Sequence, residues 1–200
     1  MNWILFFPLA GFFAIVVLIA ARVLFLKKRN VRVSSAAEKT STKKGLLYIL
    51  FLLILIVWLY ELAKPIFGFS VILLPETLSQ PLFSSSIIDI IGALLISAAL
   101  MFLFLALLHF KQSLRFGLDE NNQGKLITTG IFSFSRNPFF LSLDLYFLGL
   151  ALIFSNLFFI SFAVLAIVSI HFFILKEEKF LKKAFGDDYL SYSNSVRRYF

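Results

Sequence analysis

An all-α integral membrane bundle of about five transmembrane helices, continued by a cytosolic helical tail, is the fold class this sequence predicts. Three observations predict it: apolar residues gather into runs near the length of a bilayer crossing, basic residues concentrate beside alternate run ends, and the composition departs from that of soluble domains. The chain is 60% hydrophobic and holds 27 Phe among its 200 residues, where soluble domains are about half apolar and about a quarter charged. Its mean hydropathy is +0.92.

Five runs approach the roughly 20 residues that a spanning helix needs: about Trp3 to Leu26, Leu46 to Leu62, Ile87 to Phe110, Pro138 to Phe154, and Leu157 to Leu175. The first lacks a basic start and a small-residue cleavage site and is longer than a signal-peptide core, so it reads as a mature helix. The first three are rich in Leu, Ile and Phe around most of their circumference and read as scaffold facing lipid or other helices. Arg22, Lys111, Glu61 and Lys64 lie near span ends, where long charged side chains anchor at the interface. Between Pro65, Pro75 and Pro81, the apolar stretch Ile66 to Leu74 is too short to span and is expected to lie in the interface or re-enter briefly. Phe116 to Gly130 has loop composition.

In a soluble protein the net charge of +8 would point to nucleic acid; here the basic residues flank spans and report orientation instead, so no nucleic-acid partner is expected. Lys27, Lys28, Arg29, Arg32, Lys39, Lys43 and Lys44 crowd the first loop, a segment drawn to anionic headgroups. The second loop offers only Lys64, the third carries Lys111, Arg115, Lys125 and Arg136, and the tail is again basic. This alternation places the amino terminus outside and the carboxyl terminus in the cytosol. The chain has no cysteine, which excludes disulfides, thiolate metal sites and cysteine nucleophiles.

Only Ser155 and Asn156 join the fourth and fifth runs, so these form an antiparallel hairpin. The hairpin returns Lys176-Glu177-Glu178 to Ser135-Arg136-Asn137-Pro138 and merges two clusters distant in sequence into one site. Within it, Asp144 stands roughly 9 Å above Pro138 and His171 roughly 8 Å above Lys176, at similar depth. Ionisable residues inside a span face protein or water. The pair therefore either satisfies itself within the bundle or lines a polar cavity, which His109 could join. Asn137 and Pro138 also suit the start of a helix, as N-cap and first-turn residue, and Glu178 could pair with Lys182 one turn on. The two histidines are isolated and lack metal-motif spacing, so no metal site is expected.

Thr128-Thr129-Gly130 and Arg136-Asn137-Pro138, followed by Glu177-Glu178, Leu181, Phe185-Gly186, Tyr189, Tyr192, Val196 and Arg198, resemble the signatures of the isoprenylcysteine carboxyl methyltransferase and phospholipid methyltransferase family. The resemblance covers roughly the last third of the chain. With no repeat visible, residues 1–200 read as a single membrane domain in which residues 1–110 form three scaffold helices, and the resemblance implies that residues 126–200 form the hairpin and tail around S-adenosylmethionine. Carried over, the cofactor residues are Arg136, Asn137, Pro138, Glu177 and Glu178, joined by His171 and Tyr189. Arg136, His171 and Glu178 are the implied catalytic residues, Arg136 holding a carboxylate and His171 or Glu178 taking a proton. The implied acceptor is lipid-borne, a prenylcysteine carboxylate or a phospholipid amine. Phe140 stands where the family commonly has Tyr, and Ser142 where it commonly has Gly. No Gly-x-Gly-x-x-Gly occurs, so a Rossmann-type site has no support. The competing readings are a noncatalytic lipid-binding scaffold that retains the fold, and a transporter using Asp144 and His171 as a proton relay. The absence of an internal repeat weighs against the transporter.

Overall fold

The computed structural model of the chain describes residues 3–29, 42–110 and 125–200. Its helices are α1 (Phe6–Lys28), α2 (Thr42–Phe67), α3 (Glu76–Ser79), α4 (Ser86–His109), α5 (Pro138–Phe154) and α6 (Leu157–Ser195), with 3-10 turns at Trp3–Leu5 and Gly130–Ser133. The first loop's basic residues from Asn30 to Ser41, and Lys111 and Arg115 in the third, lie outside the described residues.

Four helices, α1, α2, α4 and α6, are long and apolar enough to cross a membrane; α5, with 17 residues, is shorter. At 1.5 Å per residue α5 is about 25 Å long, the lower end of what a span requires. Protein rather than lipid covers much of it: Leu141, Ser142, Asp144, Tyr146, Gly149, Leu150, Ala151 and Ile153 are all buried. The expected fourth span is thus an inner helix flanked by longer ones.

Membrane helices have no hydrophobic gain from leaving lipid, so they associate where small residues let backbones meet. α4 and α5 do so at Gly92 and Gly149. A Cβ at Gly92 would stand 2.7 Å from the Gly149 carbonyl oxygen, and one at Gly149 would stand 2.6 Å from that of Gly92. On the same side, Gly11 of α1 rests on Ile96 and Tyr146, and the Tyr146 hydroxyl donates to the Pro8 carbonyl at 3.0 Å. Trp58 of α2 closes the core, ringed by Phe12, Phe159 and Phe162 at 5.4–6.4 Å.

α2 runs past the expected end at Leu62, through Pro65, and stops where Gly68 takes φ 68 and its N–H reaches the Lys64 carbonyl. A left-handed glycine is the common way to end a helix. Residues 68–74 then continue without helix, so the apolar stretch after Pro65 is split between the end of α2 and an irregular exposed connection. That connection is fastened to the hairpin turn by Leu82 N–H to the Ser155 carbonyl and by the Asn156 amide to the Ser79 carbonyl. Ser155 itself is left-handed (φ 49), and the Asn156 side chain caps α6 by accepting from Phe159 N–H at 2.9 Å.

α6 has two parts: an apolar part, residues 157–175, long enough to cross a membrane, and a polar part from Lys176 to Ser195. Gly186 interrupts the second part with φ 53 and ψ −124. A Cβ there would meet nothing within 4 Å, so the backbone conformation, not space, calls for glycine. The bend carries Tyr189 and Tyr192 into buried positions.

Candidate functional site

Glu178 is the hub of the polar end of the hairpin. Arg198 grips its carboxylate with Nε at 3.1 Å from both oxygens and Nη2 at 2.8 Å from Oε2. Arg136 Nη2 lies 3.4 Å from Oε1, and the Asn137 amide donates to the same oxygen at 3.2 Å. Burial alone would raise this carboxyl; the Arg198 hydrogen bonds, the charges of Arg136 and Arg198 and the Asn137 bond outweigh it and hold it below its ordinary value. Glu178 pairs with these residues rather than with Lys182.

The chain from Val196 to Phe200 lies across the loop that begins α5. Arg136 N–H donates to the Arg197 carbonyl at 3.0 Å, and the Ser135 hydroxyl and Asn137 amide both reach the Arg198 carbonyl at 3.2 Å. Tyr192 donates to the Phe132 carbonyl at 2.6 Å. Asn137 holds the N-cap position of α5 and Pro138 its first turn, as the sequence leads one to expect, yet the Asn137 side chain makes no capping bond. Its amide is turned to Glu178 and Arg198 instead. Pro138 is buried and serves to start the helix.

Three buried polar atoms at this junction have no hydrogen-bond partner: Arg136 Nε, Glu177 Oε2 and Tyr189 Oη. Buried polar groups are ordinarily satisfied, so these three atoms are exceptions that concentrate at one junction. Burial, then the neighbouring Glu178 charge, pushes the Glu177 carboxyl up to about 7. Burial and Glu178 likewise raise the Tyr189 phenol.

His171 and Asp144 do not pair. His171 Nδ1 is 2.8 Å from the Tyr199 hydroxyl, with the two rings stacked, and Asp144 Oδ1 is buried without a partner. Tyr199 lies within electrostatic reach of Asp144: burial raises its phenol first, and the Asp144 charge adds to it. His109 is occupied elsewhere, its Nδ1 2.8 Å from the Leu105 carbonyl and its ring packed against Gly130, where any Cβ would overlap it. Ser142 turns its hydroxyl back to the Phe139 carbonyl, and Phe140 packs on Phe173.

The contributions of Arg198 and Tyr199 are not legible as a site in the sequence. Arg198 belongs to the motif, yet among the basic residues of the tail it reads as one more surface charge; only the bend at Gly186 and the return of the tail bring it to Glu178.

Fold and site together define an all-helical membrane protein with a polar junction between a helical hairpin and its folded-back tail. The model of the phospholipid methyltransferase family matches residues 87–188, from the start of α4 to just past Gly186, and the chain belongs to that family. No curated protein matches the chain. The family assigns methyltransferase activity on lipid-type substrates.

Proposed function

We propose that the protein is an S-adenosylmethionine-dependent methyltransferase acting on a lipid-borne amine. The observation that supports this most is the cluster of unpartnered atoms, Arg136 Nε, Glu177 Oε2 and Tyr189 Oη, beside the family's paired motifs. These fit the cofactor chemically: a carboxylate receives an ammonium or ribose hydroxyl, a guanidinium N–H faces a carboxylate, and a phenol donates or accepts. Glu178 and Asn137 act by holding Arg136 in place. Bound there, S-adenosylmethionine supplies a sulfonium methyl group.

Charge favours an amine acceptor over a prenylcysteine carboxylate. The charges of Arg136 and Arg198 are already balanced by Glu178, whereas Glu177 Oε2 and Asp144 Oδ1 lack partners. A carboxylate acceptor would meet uncompensated acids; a cationic headgroup would meet its complement. Glu178, engaged by three side chains and held below its ordinary value, is a poor base. His171 takes that role in the tautomer whose Nδ1–H donates to the Tyr199 hydroxyl, since its other ring nitrogen then accepts the proton an amine must lose before attack. Positioning by the hairpin contributes the rest.

The Lys and Arg bias puts this junction in the cytosol and the amino terminus outside. The water-soluble cofactor then arrives from the cytosol and the acceptor from the bilayer. The test is transfer of label from methyl-labelled S-adenosylmethionine into lipids extracted from proteoliposomes containing aminophospholipid. Label in the aminophospholipid fraction supports the reading; absence of transfer with no binding of S-adenosylhomocysteine rejects it.

A further inference from the structure

We infer that Asp144 is a specificity-determining residue that binds the ammonium of the lipid headgroup; the inference deepens the proposed methyl transfer and rests on it for the identity of the reaction. Asp144 is 6% exposed, and its Oδ1 is buried without any hydrogen-bond partner. It sits within an otherwise apolar helix, where an ionisable side chain is costly and persists when it faces a functional cavity or a partner.

The other polar side chains of α5 beyond its first turn, and His171 of α6, are already committed. Ser142 donates to the Phe139 carbonyl, Tyr146 to the Pro8 carbonyl, and His171 is joined to Tyr199. Among the described residues none forms a hydrogen bond with Asp144 Oδ1, which leaves this buried oxygen open to a donor brought by a ligand. An acceptor-only carboxylate calls for a donor, and a carboxylate in a low-dielectric setting calls for a cationic one.

Depth identifies the donor's source. Phe140 of α5 contacts Phe173 of α6 at 5.4 Å between ring centroids. In the antiparallel hairpin, the four residues from Phe140 to Asp144 bring Asp144 level with Ser169, about 3 Å deeper in the membrane than His171. The unpartnered Arg136, Glu177 and Tyr189 atoms lie at the polar end, while Asp144 lies further in, where α5 and α6 are apolar. A water-soluble ligand fits the first set and a headgroup carried by a lipid fits the second. Tyr199, bonded to His171 and within electrostatic reach of Asp144, stands between them. An ammonium on Asp144 is thereby placed near the base proposed to deprotonate it.

The experiment measures lipid binding by native mass spectrometry on the full-length protein, alongside titration with S-adenosylhomocysteine. The probes are phosphatidylethanolamine, its N-acetylated form, phosphatidylglycerol and soluble phosphoethanolamine. Wild type should bind phosphatidylethanolamine at least tenfold more tightly than the other three, and Asp144→Asn should remove that preference while S-adenosylhomocysteine affinity stays within twofold. Retention of the preference in a folded Asp144→Asn variant would overturn the inference. So would equal binding of the N-acetylated lipid by wild type, a result that does not depend on any variant folding. Competition by soluble phosphoethanolamine as effective as the lipid's would overturn the lipid assignment. Wild type that shows the lipid preference but binds no S-adenosylhomocysteine would leave Asp144 as a headgroup site and reject the methyl-transfer reading instead.

Discussion

Glu178 and Arg198 stand twenty residues apart in sequence and meet side by side, the guanidinium spanning both carboxylate oxygens at 2.8–3.1 Å. The pair fastens the tail to the hairpin. Since Arg136 and Asn137 also hold Glu178, the contributions of the two partners are unequal. Arg198→Ala removes one of two cations and should weaken S-adenosylhomocysteine binding about threefold, whereas Glu178→Gln and Arg136→Ala, which unseat the shared hub, should each cost about tenfold or more. Isothermal titration on purified variants measures this. Lys182→Ala and Lys183→Ala, at exposed positions of α6, should change affinity little, because exposed charges contribute roughly 1 kcal/mol or less.

The Glu177 carboxyl predicts a pH dependence. Its folded-state value is raised from 4.5 to about 7, first by burial and then by Glu178. A raised acid binds its proton more tightly folded than unfolded, so its contribution to stability is fully present below about 4.5 and is lost as pH rises through about 7. Thermal unfolding of wild type should therefore fall more steeply between pH 5 and 8 than that of Glu177→Gln. A cationic group on Glu177 needs the ionised form. S-adenosylhomocysteine affinity should accordingly rise about tenfold from pH 6 to pH 8 in wild type, and Glu177→Gln should flatten the profile.

Packing predictions separate space from backbone conformation. Gly149→Ala drives a methyl group to within 2.6 Å of the Gly92 carbonyl, and with backbone on the other side the helices must part, at a cost of about 1–3 kcal/mol. The unfolding temperature in detergent should drop. Gly186→Ala meets open space but a φ of +53, so its effect should be confined to the tail. Hydrogen exchange should quicken from residue 187 onward while α4 and α5 stay protected.

Orientation follows from charge. Reporter fusions after Arg29 and after Phe200 should both report the cytosol, and a fusion within residues 68–74 the opposite side. Fusions after Arg29 and Phe200 reporting different sides would contradict the Lys and Arg bias.

The sequence by itself determined that the chain is a bundle of membrane helices, that Ser155 and Asn156 turn a hairpin, and that Arg136 and Glu178 share one end of it. Run length, local turn chemistry and the antiparallel return are short-range properties, readable from neighbours in the chain. Tertiary structure alone decided who partners whom. Asn137 leaves its capping role for Glu178, His171 takes Tyr199 rather than Asp144, His109 withdraws onto Gly130, and Arg198 returns from the tail as the second cation. Each of these choices depends on where the bend at Gly186 and the glycine contact between α4 and α5 place whole segments. A charged or polar side chain has several chemically adequate partners in a sequence, and only three-dimensional proximity selects among them.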